Sequence, residues 1–442
     1  MDLVTPMFNS KGVFMTTLRK RISEEILRIK EVNAQIAEKY GDKEICKVTP
    51  KNIFAGMRGI VEVVCNTSYV DANKGLIIKG YPLSELSDKK AEEIFYLLCT
   101  GNLPQKDELC CLQRNLALRS SVPREVWNIL FALPDNTHPM TMLSIAILVL
   151  ERESVFRDKY EQGLRKKDFW KSTLEDCLEL IAKLPSIAAA IYRIRYEKDD
   201  LIRSYDSDLD WSANFANMLG IDTPDEDVFA DLIRLYLVLH CDHEGCNASA
   251  FTSRVVSSTL SDIYRAVSSG LNALAGPLHG LANQNSLKFV LSIKDKFDGC
   301  PSKEQMEKYL RSWLETGKII PGYGHAVLRK TDPRFTEIKK FANKYLPDNK
   351  LIKIVNLMNE IAPMVLKEQG KARSVYPNVD AISGAVLYAL GLEHFDYYTV
   401  IFGISRILGF CAQLVIARGL NSSIIRPKSV TSEMLEEMAS KN

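Results

Sequence analysis

Apolar residues recur at helical spacing through most of the chain. Val228, Leu232, Leu235 and Leu239 form one stripe behind a Thr223-Pro224 start with acids in its first turn. Ile263, Val267, Leu271 and Leu274 form another, closed by Gly276-Pro277. The same period predicts helices over about 90–100, 105–119, 137–151, 172–196, 285–296, 303–316, 335–345, 350–368 and 381–391. From about Thr16 an amphipathic helix runs through Ile22, Ile26, Ile29 and Val32. Strand-like alternation is confined to a short ribbon near 59–66 and 76–80. With no repeat, low-complexity run or long linker, the pattern predicts an all-α fold.

One window is apolar nearly throughout. Residues 397–417 carry Arg406 at their centre and Gln413 beyond it. A central arginine costs about 2.5–3.5 kcal/mol for insertion into a bilayer, and the chain offers no second span. A buried core helix is therefore expected, with Arg406 facing inward and in need of a partner. The alternative, a membrane-bound helical protein, predicts detergent dependence.

Composition narrows the choices further. At 442 residues the chain can bury a large core, and its length favours two or more domains. Lys plus Arg is 57 and Asp plus Glu is 55, so no nucleic-acid or polyanion surface is expected. An anionic ligand must be met by local clusters. The ten cysteines show no CxxC pair and no zinc spacing, and the neighbours of Cys65, Cys99, Cys241 and Cys411 are mostly apolar. Buried reduced thiols are expected, with no metal site and no disulfide framework. Lys11, Arg19, Lys20 and Arg21 weakly resemble a transit peptide, but Asp2, Glu24 and Glu25 break the pattern. The expected location is cytoplasmic, with the mitochondrial matrix as the alternative.

Candidate chemistry sits at breaks between helices, where binding and catalytic groups concentrate. The richest stretch is 321–334, Pro-Gly-Tyr-Gly-His-Ala-Val-Leu-Arg-Lys-Thr-Asp-Pro-Arg. It sets His325 between small residues and follows it with Arg329 and Arg334, a grouping suited to a carbonyl compound that carries carboxylates or phosphates. Cys-Asp-His-Glu-Gly-Cys-Asn at 241–247, Gly-Pro-Leu-His-Gly at 276–280 and Tyr-Pro-Asn-Val-Asp at 376–380 occupy three further breaks. Three of the six histidines, His243, His279 and His325, lie in such breaks. His138, His240 and His394 read as structural. A helix start after His279 would keep that ring neutral, and one at Asp380 would favour the ionised carboxylate. A neutral donor and an ionised carboxylate suit proton removal next to a carbonyl. Taken alone, Asp380 fits a plain helix cap equally well.

These segments carry a family resemblance. Gly280-Leu281-Ala282-Asn283 after His279, the 321–334 stretch and Asn378-Val379-Asp380 resemble the three signature regions of the citrate synthase family. Phe402-Gly403-Ile404-Ser405-Arg406, Arg426-Pro427-Lys428-Ser429, Asp242-His243-Glu244-Gly245, Asp210-Trp211-Ser212 and Asn217-Met218-Leu219-Gly220 extend the match, in order, from about Phe54 to Ser429. It is nearest the long, dimeric, eukaryotic-type branch.

The resemblance implies condensation of acetyl-CoA with oxaloacetate to citrate and free CoA, with no cofactor. Asp380 would take a methyl proton while His279 donates to the thioester oxygen. His325 would polarise the ketone, His243 would help hold oxaloacetate, and Arg334, Arg406 and Arg426 would bind its carboxylates. Arg426 would reach in from the partner of a homodimer, for which the 397–417 helix is expected to supply apolar surface. Arg58, Arg329, Lys371 and Arg373 would touch CoA phosphates, and Lys166 beside Arg165 stands where the family has a further phosphate-binding arginine. A large domain of 1–281 plus 391–442 and a small domain of 282–390 would close over the substrates. Ile382, Tyr376, Cys246 and Phe251 depart from the family pattern, which keeps a 2-methylcitrate synthase using propionyl-CoA open. A non-catalytic structural relative would be expected to lack Asp380 or His279, and both are present.

Overall fold

A helix that is apolar on every face has to be enclosed, and Tyr398–Leu420 is. From Val400 to Ile416 every residue is buried except the half-buried Phe402. Helices Ala91–Thr100, Phe169–Tyr192, Glu226–His240 and Ile263–Leu274 wrap it, joined by the long N-terminal helix Met7–Tyr40. Glycines permit the closest approaches. A Cβ on Gly419 would lie 2.3 Å from Ile26 Cδ1, and one on Gly409 would lie 2.5 Å from the Cys241 carbonyl oxygen. The computed structural model describes residues 7–197, 203–325 and 327–441, with side chains from Met15 onward.

The core-helix expectation for 397–417 therefore holds, but the expected dimer surface on it does not. The helix is covered by its own chain, so its apolar faces are already spent on the intramolecular core. Exposed apolar side chains gather instead along the arm after the first helix, at Ile45, Val48, Ile53, Phe54, Met57, Val61 and Val64.

Most predicted helices appear within a few residues of their expected limits, and the first helix buries Leu18, Ile22, Ile26 and Ile29. Its stripe ends there, since Val32 is exposed. Among the described residues six short helices were not expected: Pro50–Phe54, Arg124–Ala132, Val155–Glu161, Trp211–Leu219, Ala248–Ser258 and Ser432–Ser440. Ser, Asn and Ala dilute the periodicity of several of them. Their caps were nonetheless written in the chain: Asp210 accepts from the Ala213 amide and Asn247 from the Ala250 amide.

The ribbon is real but shifted. Strands β1 (Ser68–Asp71), β2 (Gly75–Ile78) and β3 (Tyr81–Pro82) form an antiparallel sheet in that order, with Ser68 opposite Ile78 and Asp71 opposite Gly75. Residues 59–66 lie outside it. The Asp71 carboxylate accepts from the Asn73 and Lys74 amides, and this tight turn fixes which residues pair.

Five helices between 282 and 389 pack chiefly on one another: Ala282–Lys296, Lys303–Glu315, Pro333–Tyr345, Lys350–Gln369 and Asp380–Ala389. The chain leaves this group through Gly391, whose φ of +97° and approach to the Asp222 carbonyl (2.2 Å from an added Cβ) require glycine. The two groups touch where the β1–β2 turn meets the 321–334 loop, with the Arg329 amide donating to the Ala72 carbonyl at 2.9 Å.

Gly409→Ala should lower stability by about 1–3 kcal/mol, because its neighbour is backbone and cannot yield. Thermal denaturation should show a clear fall in Tm; an unchanged Tm would contradict the close helix-to-loop contact.

Candidate active site

Each functional side chain is fixed by the break that carries it. The 241–247 loop is braced from beneath by the fully buried Asp242, whose carboxylate accepts from Ser68 Oγ (2.9 Å) and Gln413 Nε2 (2.8 Å). Ser68 in turn accepts from the Glu244 amide. This holds His243 with its ring 6.2 Å from that of His325. Burial first, and then the charges of Arg334 and Arg406, push the His243 pKa well below the usual range. The ring is neutral.

His325 is oriented by its own loop. Nδ1 accepts from the Val327 and Leu328 amides, both at 3.0 Å. Backbone amides only donate, so the ring proton sits on Nε2. Burial and the Arg334 charge lower its pKa, so Nε2 is offered as a neutral donor. His279 has the opposite tautomer. The Ser249 amide donates to its Nε2 at 3.3 Å, with Ser249 Oγ 2.9 Å from the same nitrogen. Its proton is left on Nδ1. The pKa of His279 falls to about 4, through burial and then the Arg406 charge. The neutral state matches expectation; the cause is burial, since His279 stands in a turn ahead of the Ala282–Lys296 helix.

Asp380 opens the Asp380–Ala389 helix, its amide donating to Asn378 Oδ1. Among the described residues no hydrogen bond reaches its carboxylate. Burial raises its pKa to about 6 against the lowering pull of Arg334, with Asp332 adding to the rise. The expected helix-end stabilisation is thus outweighed by desolvation. What results is a carboxylate that is ionised at neutral pH and basic enough to take a proton.

Two buried arginines face this carboxylate and the histidines. Arg334 pairs with Asp332 through Nε (3.1 Å) and Nη2 (2.8 Å). Burial opposes its charge, but the Asp332 carboxylate outweighs that and holds the guanidinium ionised. Arg406 donates Nε to the His240 carbonyl at 3.0 Å and lies 4.8 Å above the Phe402 ring. Burial brings its pKa down to about 10, opposed by Asp242. Among the described residues it is a cation without a direct carboxylate partner, as a site for an anion requires.

The structure thus gathers His243, His279, His325, Arg334, Arg406 and Asp380. Other expected residues lie apart. Arg329 turns its Nη1 onto the Val327 and Leu328 carbonyls of its own loop. Arg58, Lys371 and Arg373 are exposed on loops, and Arg426 is exposed in the segment after Tyr398–Leu420. Ile382 is fully buried, two residues round the helix from Asp380, so it faces the core rather than the base. Asp332 and Ser249 were not foreseen as site residues. Asp332 had a signal, standing before Pro333 as a helix cap; Ser249 acts through its amide, which no side-chain pattern records.

The description "Citrate synthase, C-terminal domain" matches residues 56–428. The chain belongs to the citrate synthase family. It is 44% identical over 424 residues to "Citrate synthase, mitochondrial" of Xiphias gladius, covering 94% of this chain and 89% of that one. It is 41% identical over 448 residues to "2-methylcitrate synthase, mitochondrial" of Yarrowia lipolytica, covering 98% and 96%. The citrate synthase of Thermoplasma acidophilum, solved as a ternary complex with carboxymethyl coenzyme A and oxaloacetate, superposes with a TM-score of 0.72 at 27% identity, covering 85% of this chain and 95% of that one. Relatives named mitochondrial give no support to the cytoplasmic expectation, which rested on weak acidic interruptions of a basic start.

Asp332→Asn should cost about 3–5 kcal/mol by leaving Arg334 buried and unpaired. Thermal denaturation near neutral pH, where the native pair is fully ionised, should register the loss.

Proposed function

We propose that this enzyme condenses acetyl-CoA with oxaloacetate and water, releasing citrate and CoA. The observation that carries the reading is one ionised, poorly solvated carboxylate among two neutral imidazoles whose protons are fixed on opposite nitrogens, with two buried arginines beside them. Asp380 takes a proton from the acetyl methyl. Nδ1–H of His279 donates to the thioester oxygen as it gains enolate character. The nucleophilic carbon attacks the oxaloacetate ketone, whose oxygen receives the Nε2–H of His325. Arg334 and Arg406 hold carboxylates, and His243 helps to orient oxaloacetate. Hydrolysis of the resulting thioester frees CoA.

Closure of the 282–390 unit onto the rest would exclude water while the enolate exists. The contact between Arg329 and Ala72 gives such a closed arrangement a fixed point. Arg426, exposed on its own subunit, supports a homodimer in which it serves the neighbouring site, with the apolar 45–64 arm as contact surface in place of the Tyr398–Leu420 helix. Arg58, Arg329, Lys371 and Arg373 would meet CoA phosphates as closure brings their loops together. The mitochondrial relatives favour a mitochondrial location.

A second reading, propionyl-CoA to 2-methylcitrate, is favoured by the Yarrowia relative and by the departures at Ile382, Tyr376, Cys246 and Phe251. Release of free thiol from each acyl-CoA in the presence of oxaloacetate separates the two. Acetyl-CoA should be the better substrate by kcat/KM, and a preference for propionyl-CoA would reverse the assignment. Asp380→Ala should lower kcat by about 10²–10⁴-fold while oxaloacetate still binds; near-normal turnover would sink the mechanism.

The base must be ionised to act. With its pKa at about 6, kcat/KM for acetyl-CoA should be level above that pH and fall about tenfold per unit below it. A profile flat down to pH 5 would remove Asp380 from the role.

A further inference from the structure

Ser68 opens β1, is 3% exposed, and grips the chain on both sides of His243. Its Oγ–H donates to the Asp242 carboxylate at 2.9 Å, while Oγ accepts from the Glu244 amide at 2.8 Å. Gln413 repeats the grip from the Tyr398–Leu420 helix. Its Nε2 donates to the other Asp242 oxygen at 2.8 Å and to the Glu244 carbonyl at 3.2 Å. Glu244 needs such holding, because its φ of +56° lies in the left-handed region that a side chain disfavours. Relaxation of that kink would carry the adjoining His243 with it.

The far end of the same hairpin rests on the other side of the site. Strand β1 pairs with β2 so that Gly75 lies opposite Asp71, and in the turn between them the Ala72 carbonyl accepts the Arg329 amide at 2.9 Å. Gly75, at φ +84°, lets the turn approach Pro333 so closely that an added Cβ would stand 2.5 Å from the proline Cγ and Cδ. Pro333 is the first residue of the helix that presents Arg334. The loop contacted in this way is bound in turn to the break before Asp380. The Asp332 amide donates to the Pro377 carbonyl at 3.2 Å, and the Gly324 amide to the Tyr376 carbonyl at 3.0 Å. One end of the hairpin thus holds His243, and the other is seated on the block that carries His325, Arg334 and Asp380.

We propose that Ser68 is a positioning residue for His243, and that the β1–β2 hairpin is a strut through which the seating of the 321–334 loop is registered at that imidazole. The inference rests on the reaction proposed above. It adds to that reaction the means by which oxaloacetate contacts on opposite sides of the site keep a common spacing.

Ser68→Ala removes the clamp and leaves the seating intact. Its Kd for oxaloacetate, measured by calorimetry, should rise about tenfold, the equivalent of one lost hydrogen bond. Its KM for acetyl-CoA at saturating oxaloacetate should stay within about twofold. A merely structural serine would lower Tm without favouring one substrate over the other. An oxaloacetate Kd within about twofold of wild type, or equal losses for both substrates, overturns the role. Gly75→Ala instead prises the turn from Pro333 and leaves Ser68 in place; it should weaken oxaloacetate binding by a similar factor. Combined, the two substitutions should cost about tenfold rather than about a hundredfold, because each breaks the same strut. Fully additive losses overturn the coupling between the two ends. Should Gly75→Ala fail to fold, Pro333→Ala, which empties the contact rather than crowding it, takes its place in the cycle. Calorimetry does not depend on turnover, so a wild-type chain that binds oxaloacetate yet releases no thiol refutes the reaction and leaves the strut to stand or fall on binding alone.

Discussion

The structure depends on a guanidinium buried in the middle of an apolar helix. Arg406 is enclosed with Tyr398–Leu420, and a cation there has to be met by oriented dipoles and π-faces. The His240 carbonyl and the Phe402 ring supply them. Asp242, close enough to favour the charge, is itself tied down by Ser68 and Gln413. Among the described residues no carboxylate meets it directly, and that gap is what the proposed dicarboxylic substrate would fill. Core packing and substrate recognition therefore share one helix, which explains why a largely apolar, enclosed helix carries a charge at its centre.

The same low-dielectric setting governs the titrating groups, with opposite effects. Burial lowers the pKa of His243, His279 and His325 and raises that of Asp380. One physical cause thus yields neutral donors and a stronger base together. Arg334 limits the effect on Asp380, and Asp332 in turn limits Arg334. The cluster is a balance of desolvation and charge in which no single pair dominates.

Much of this was legible in the chain, for identifiable reasons. Helices with sustained stripes, such as Glu226–His240 and Ile263–Leu274, were read correctly because one face of each is buried along its whole length. His243, His279, His325, Arg334 and Asp380 were found because each stands at or beside a break, where a polar side chain has no packing reason to be; Arg406 was found as a charge in an otherwise apolar run. Short helices such as Ala248–Ser258 escaped, since their burial is partial and their Ser and Ala positions carry little contrast. The strand pairing was misplaced because a turn made by the Asp71 side chain, rather than the apolar run before it, sets the register. The helix around Arg406 was read as buried, but periodicity does not say whether its own chain or another subunit covers it.

The proton positions on His279 and His325 have a consequence of a different kind. Both are dictated by peptide amides, of Ser249 in one case and of Val327 and Leu328 in the other. Side-chain exchange at those three positions leaves the amides in place, so the tautomers are insulated from most point mutation. They are exposed instead to changes of chain path: an insertion, a deletion or a proline in either break. Over long divergence, side chains around these loops are free to drift while loop lengths are not.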